Sequence, residues 1–132
     1  MDELENTRLV QQVYQQFAAR DAETLVNLLA ADIEWRLPAM EHVPFAGTWK
    51  GRDGVRQFLR ELGSSQDVID FRPEQFVAQD NTVIVLGRFV MRVKQTGKES
   101  VSDWAHVWTI DGGKVAQFKE YVDTAAVSRA HG

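Results

Sequence analysis

Along residues 3–19, Leu9, Val10, Val13, Tyr14, Phe17 and Ala18 recur at spacings of three and four. Polar side chains fill the positions between them, so the segment predicts an α-helix with one apolar stripe. Asp21 follows as an N-cap, and Leu25, Val26, Leu28 and Leu29 extend helical spacing over residues 22–30. The period then drops to two. Ile33, Trp35 and Leu37 alternate with Glu34 and Arg36, which predicts a short strand ended by Pro38. AMEHVPFAGTWKG, residues 39–51, reads as a loop with a short extended piece at 46–50. A third helix over 52–62 places Val55, Phe58, Leu59 and Leu62 on one side. From residue 70 onward period two predicts strands at 70–79, 82–95, 100–110 and 114–122. QTGKES and IDGGKV supply the turns, and a short helix from 124, capped by Asp123, closes the chain.

Three helices followed by an antiparallel meander define an α+β fold. A strongly curved sheet with helices in its concavity would enclose a pocket. No internal repeat, low-complexity segment or linker divides the chain, so residues 1–132 read as a single domain.

The stretch DWAHVWTID, residues 103–111, carries the candidate chemistry. On a strand, Trp104, His106 and Trp108 share one face, which puts a titratable ring between two large aromatic side chains. A two-residue turn at Gly97–Lys98 would place Phe89 opposite His106, Met91 opposite Trp104 and Gly87 opposite Trp108. Arg92 would then face Asp103 on the other side of the sheet. In the last strand Ala116, Phe118, Glu120 and Val122 form the apolar face, with Glu120 its one charge. A three-residue DGG turn would set Phe118 opposite His106 and Glu120 opposite Trp104. His106 and Glu120 would become diagonal neighbours on one face. A two-residue turn would send Glu120 to the other face.

Such a pair suits general acid–base work. Desolvation raises a buried carboxylate, a neighbouring imidazolium lowers it, and the carboxylate in turn raises the histidine. The two can share a proton near neutral pH and move a proton next to a carbonyl. A structural hydrogen bond in a core is the other reading of the same pair. The tryptophans, likewise, read either as core or as a ligand wall.

Composition excludes several classes. With no cysteine there is no disulfide, thiolate metal site or cysteine nucleophile. A net charge of −4 with scattered Lys and Arg argues against a nucleic-acid partner. The start MDELENTRLV lacks the features of a signal peptide, and no apolar run approaches membrane-spanning length. A cytoplasmic protein with no membrane partner is the expectation. His42 and His131 lie far from His106 with no metal-like spacing, and His42 reads as a loop residue. GTWKGRDG carries no nucleotide-binding pattern, and no serine sits in a nucleophile elbow. No cofactor and no metal are implied.

YQQFAARDAETLVNLLAADIEWRLP, PFAGTWKGRDGVRQFL and WAHVWTIDGGKVAQFKEYVDTA, in that order, resemble the nuclear transport factor 2-like superfamily. The similarity spans residues 6–127 and is to the SnoaL-like branch, related to polyketide cyclases and ketosteroid isomerase. It implies a cone-shaped α+β barrel, a curved antiparallel sheet wrapped around three N-terminal helices with a deep pocket between. It also implies a homodimer through the outer sheet face, near Arg88, Val90, Arg92, Asp103, Ala105 and Val107. The base aspartate of ketosteroid isomerase is replaced here by Leu37, its oxyanion tyrosine aligns with Val13, and its second acid aligns with His106. The SnoaL-like cyclases match better, with a pocket histidine and a last-strand acid where His106 and Glu120 stand. The Asp–Arg–Asp set of limonene epoxide hydrolase is absent.

The sequence therefore points to a small-molecule pocket protein. The leading reading is a cofactor-independent isomerase, cyclase or dehydratase on an apolar carbonyl compound, with His106 and Glu120 catalytic. Tyr14, Phe17, Trp35, Trp49, Phe58, Phe89, Met91, Trp104, Trp108, Phe118 and Val122 would line the pocket. The alternatives are a non-catalytic ligand binder and a protein-association module.

Overall fold

A computed structural model describes residues 2–132. Its elements run α1 (Glu3–Ala18), α2 (Ala22–Asn27), β1 (Leu29–Arg36), β2 (Thr48–Lys50), α3 (Gly51–Ser65), β3 (Gln66–Gln79), β4 (Thr82–Val93), β5 (Glu99–Asp111), β6 (Lys114–Val122) and α4 (Thr124–His131). Helices α1, α2 and α4 begin where an aspartate caps them, while α3 follows Lys50 without a side-chain cap. Asp2 accepts from the Glu5 amide, Asp21 from Thr24 and Asp123 from Ala126.

Helix α2 is shorter than its apolar spacing predicts. The Leu28 carbonyl is taken by the Val115 amide of β6, and the Leu29 carbonyl by the Arg52 guanidinium. Both contacts tie residues 28–29 to β6 and α3, and the chain enters β1 at Leu29. Strand β3 starts four residues before the expected position, because backbone pairing with β4 carries it where side-chain alternation does not.

The six strands form one open sheet in the order β2-β1-β6-β5-β4-β3. All neighbours are antiparallel except β1 and β6, which run parallel. Register shifts near Val68–Asp70 and Pro73–Gln75 bend β3. Helices α1 to α3 lie over the concave face and bury Val10, Val13, Leu25, Val26 and Val55 against Val83, Val85, Trp108 and Val115. Along β4 and β5 the inward residues are buried and the outward ones largely exposed.

Both hairpin registers differ from the sequence expectation. Between β4 and β5 the loop takes residues 94–98 rather than Gly97–Lys98 alone, closed by the Val93 amide on the Lys98 carbonyl. The Thr96 hydroxyl donates to the Ala130 carbonyl of α4, and this distant anchor holds the wider loop. Val85 therefore faces His106, Gly87 faces Trp104 and Arg88 faces Asp103. The slip is an even number of residues, so no side chain changes face.

Between β5 and β6 the turn is two residues, Gly112 and Gly113, both at positive φ. Taken alone it would turn Glu120 outward. A register shift next to Thr109 and Ile110 leaves Ala116 unpaired and returns Glu120 to the inner face. Glu120 lands directly opposite His106, and Phe118 opposite Trp108.

Candidate functional site

His106 sits mid-way along β5, buried on the concave face and engaged at both ring nitrogens. Its Nε2 lies 3.0 Å from Glu120 Oε1, and its Nδ1 lies 2.7 Å from the Tyr14 hydroxyl. The Tyr14 oxygen also takes the indole N–H of Trp108 at 3.1 Å. An indole N–H can only donate, so the Tyr14 oxygen accepts from Trp108. A carboxylate only accepts, so a Glu120 carboxylate takes a proton carried on Nε2. In a neutral imidazole Nδ1 is then the acceptor, and the Tyr14 hydroxyl donates to it.

Burial favours the same assignment. It pushes the His106 imidazole below its ordinary value, while the hydrogen bond and charge of Glu120 pull it part of the way back. Burial also drives the Tyr14 phenol far above its ordinary value, which keeps its hydrogen in place as a donor. The rings around the pair hold it rigidly. Trp104 stacks on His106 at 4.0 Å, and Phe118 meets it edge-on at 4.7 Å.

Glu120 spends one oxygen on His106. Among the described residues nothing bonds its other oxygen, and its side chain keeps 13% of its exposure. It reaches a cavity of about 80 Å³, as do His106 and Tyr14. At about 10–15 Å³ of such space per water, that holds roughly five to eight waters. Of the residues expected on the wall, Tyr14, Phe17, Trp35, Phe58, Phe89, Met91, Trp108, Phe118 and Val122 border it.

Trp49 and Trp104, also expected there, stand one layer back. Trp49 packs edge-on to Phe58 and donates its indole N–H to the Phe45 carbonyl. Trp104 lies flat between His106 and Phe71, over Gly87. His42 is exposed and lies against Gly132, away from the cavity.

Other residues that line the cavity were not expected on its wall. Leu37, Met40 and Phe45 come from the loop before β2, Phe71 from β3 and Val127 from α4. Four large apolar residues in a loop (Leu37, Met40, Val43 and Phe45) were a readable sign that it folds inward. Ser100 and Gln66 add the cavity's other polar side chains. The Ser100 hydroxyl and the Trp35 indole N–H are buried without a partner. Among the described residues no cluster of three or more His, Asp or Glu could hold a metal ion. No helix among them is long and apolar enough to cross a membrane.

Comparison with known proteins adds the following. The family profile described as "SnoaL-like domain" matches residues 10–118. An NTF2-like protein from Burkholderia xenovorans is 32% identical, with a TM-score of 0.92 over 100% of this chain and 99% of that one. TerC, crystallised with polyporic acid, is 26% identical, with a TM-score of 0.86 over 96% of this chain and 98% of that one. A structure named as a candidate isomerase from Bacillus subtilis shares the fold at 18% identity, with a TM-score of 0.81 over 98% and 95%. No curated protein matches the chain significantly.

Proposed function

Since the chain belongs to the SnoaL-like domain family, we propose that its cavity holds a small apolar carbonyl compound and that Glu120 is the acid–base group acting on it. The observation that carries this reading is the unbonded oxygen of Glu120, held at the cavity by His106 and, behind it, Tyr14. In the proposed step this oxygen takes a proton from the carbon beside the substrate carbonyl, and the electron pair of that C–H bond moves into an enolate. Returning the proton to another carbon makes an isomerase. Attack of the enolate carbon on a second carbonyl of the same molecule forms the ring bond and turns that carbonyl into an alkoxide, which takes the proton back from Glu120; this makes a cyclase. His106 aims the carboxylate, and Tyr14 fixes the tautomer that lets it do so. The chemistry needs no cofactor. The protein would act in the cytoplasm as a homodimer joined through the outer sheet face.

The test measures hydrogen–deuterium exchange beside the carbonyl of 4-phenylbutan-2-one in D2O, by proton NMR. Wild-type protein should accelerate exchange, and Glu120→Gln should remove about 10²–10⁴-fold of that acceleration while keeping the fold. Equal exchange by the variant, or none above buffer by the wild type, would sink the catalytic reading.

A second reading is a non-catalytic binding pocket. It is favoured by the saturation of His106, whose two nitrogens are both already engaged. The co-crystal of TerC with polyporic acid supports ligand binding within this fold. On this reading Glu120→Gln changes affinity alone.

A further inference from the structure

Beside the inner cavity lies a second hollow of about 320 Å³. Phe17, Leu25, Leu59, Leu62 and Gln66 border both, so the outer hollow abuts the inner one across a mostly apolar partition. Its remaining wall is rich in charge, and the charges are unequally occupied. Asp21 gives both oxygens to Thr24, one to the amide and one to the hydroxyl. Glu23 holds Arg56 with both of its oxygens, and Arg56 also grips Asp53. Asp67 lies 3.8 Å from Lys94, whose ammonium donates to the Gly63 carbonyl. Every acid in the wall thus has a partner, although Asp21 has only the neutral donors of Thr24. The side chains of Arg20 and Arg60 make no hydrogen bond or ion pair among the described residues. The wall carries four cations, Arg20, Arg56, Arg60 and Lys94, against three acids, Asp21, Glu23 and Asp67, an excess of positive charge in a chain whose net charge is −4.

Arg20 is held there against the grain of its backbone. It adopts φ +57, with its amide on the Phe17 carbonyl and the Asp21 amide on the Gln16 carbonyl. That is the bond pattern of a Schellman cap, whose left-handed position glycine occupies without strain. An arginine at such a site carries a conformational cost that glycine would not.

We propose that Arg20 and Arg60 bind the carboxylate of an amphiphilic substrate whose apolar body enters the inner cavity. The claim rests on the cavity reading above and narrows it from an apolar carbonyl compound to one that also carries an acid group. A guanidinium fork suits a carboxylate because two parallel N–H donors match its two oxygens. The partition residues then set how far the acid group stands from the carbon that Glu120 reaches.

The test uses two probes that differ at one end, 4-phenylbutyrate and 4-phenylbutan-1-ol, titrated calorimetrically at low salt. Wild-type protein should bind the acid about tenfold more tightly, and added salt should shrink that preference. The Arg20→Gly, Arg60→Gln double variant should lose the preference while binding the alcohol as before. Arg20→Gly alone should melt no lower than wild type, because glycine relieves the cap. Equal or weaker binding of the acid by wild type would overturn the inference and leave the cavity reading standing. So would an acid preference that survives in the double variant. If neither compound binds, the cavity reading falls and this inference falls with it.

Discussion

At the residue scale the site turns on a histidine that stays neutral. Its folded pKa lies below its unfolded value, so the native state gives up the proton first as pH rises. In the window between the two values the unfolded chain binds more protons than the folded one. The His106 contribution to stability is thus fully present above its unfolded value near 6.5, and is lost as pH falls from there toward the folded pKa. His131, also pushed down by burial, acts with the same sign. Melting temperature should therefore fall between about pH 7 and pH 5. Carboxylates elsewhere add acid sensitivity at lower pH, so the diagnostic is the comparison with His106→Gln. That variant should be less stable at neutral pH and show a shallower slope in this window. A slope unchanged by the substitution would contradict the burial argument. The sequence made this histidine visible, since the two tryptophans that share its strand face mark that face as buried. It did not make Tyr14 visible as its partner, because the meeting of residues 14 and 106 depends on how α1 crosses the sheet.

At the scale of elements, what was legible was parity, and what was not was register. Alternation along β4, β5 and residues 118–122 of β6 told which residues share the concave face, and the structure keeps that set. The exception is Val115, expected on the outer face and buried inside because the chain bulges at Ala116. Pairing partners depend on loop length, and the loop between β4 and β5 is widened by a contact to α4 that no local pattern encodes. The unpaired Ala116 offsets the two-residue turn in the same way, since a bulge leaves no signature in a run of alternating residues. The true register explains Gly87. It faces Trp104, and a Cβ there would overlap both the indole ring and the Arg72 carbonyl. Neither neighbour can yield easily, because Trp104 is packed between His106 and Phe71. Gly87→Ala should cost about 1–3 kcal/mol by overpacking, and more if β3 must shift. Urea unfolding would measure it, with tryptophan fluorescence reporting any loosening around His106. A loss within ±0.5 kcal/mol, the usual range for a surface substitution, would mean that the strand relaxes freely. The Trp104 stack on His106 would then not be fixed by Gly87.

At the scale of the whole molecule, the outer face of the sheet is less polar than a solvated surface needs to be. Ile84, Leu86, Val101 and Tyr121 are 38–50% exposed there. Ile84 pairs with Val107 and Leu86 with Ala105, so their side chains form an apolar patch across β4 and β5, and Val90 with Val101 forms a second one beyond the Arg88–Asp103 pair. Apolar patches of this kind on a sheet face favour association. Arg88 opposite Asp103 separates the two patches, and Arg92, paired to Glu99 at 3.1 Å, lies at their end, so the face carries charges of both signs. A face with both signs can meet a copy of itself about a two-fold axis without like charges opposed. The proposed homodimer accordingly buries Ile84 and Leu86 near its centre. Light scattering on a sizing column should give twice the chain mass for wild type at tens of micromolar. Leu86→Glu should shift it to the monomer mass, since a carboxylate would be buried next to its own symmetry copy. Both residues point away from the cavity, so the monomer should keep the His106–Glu120 site intact and bind 4-phenylbutan-1-ol as the dimer does. A wild-type protein that runs as a monomer would remove the dimer from this account. A variant that dimerises unchanged would move the interface to another face.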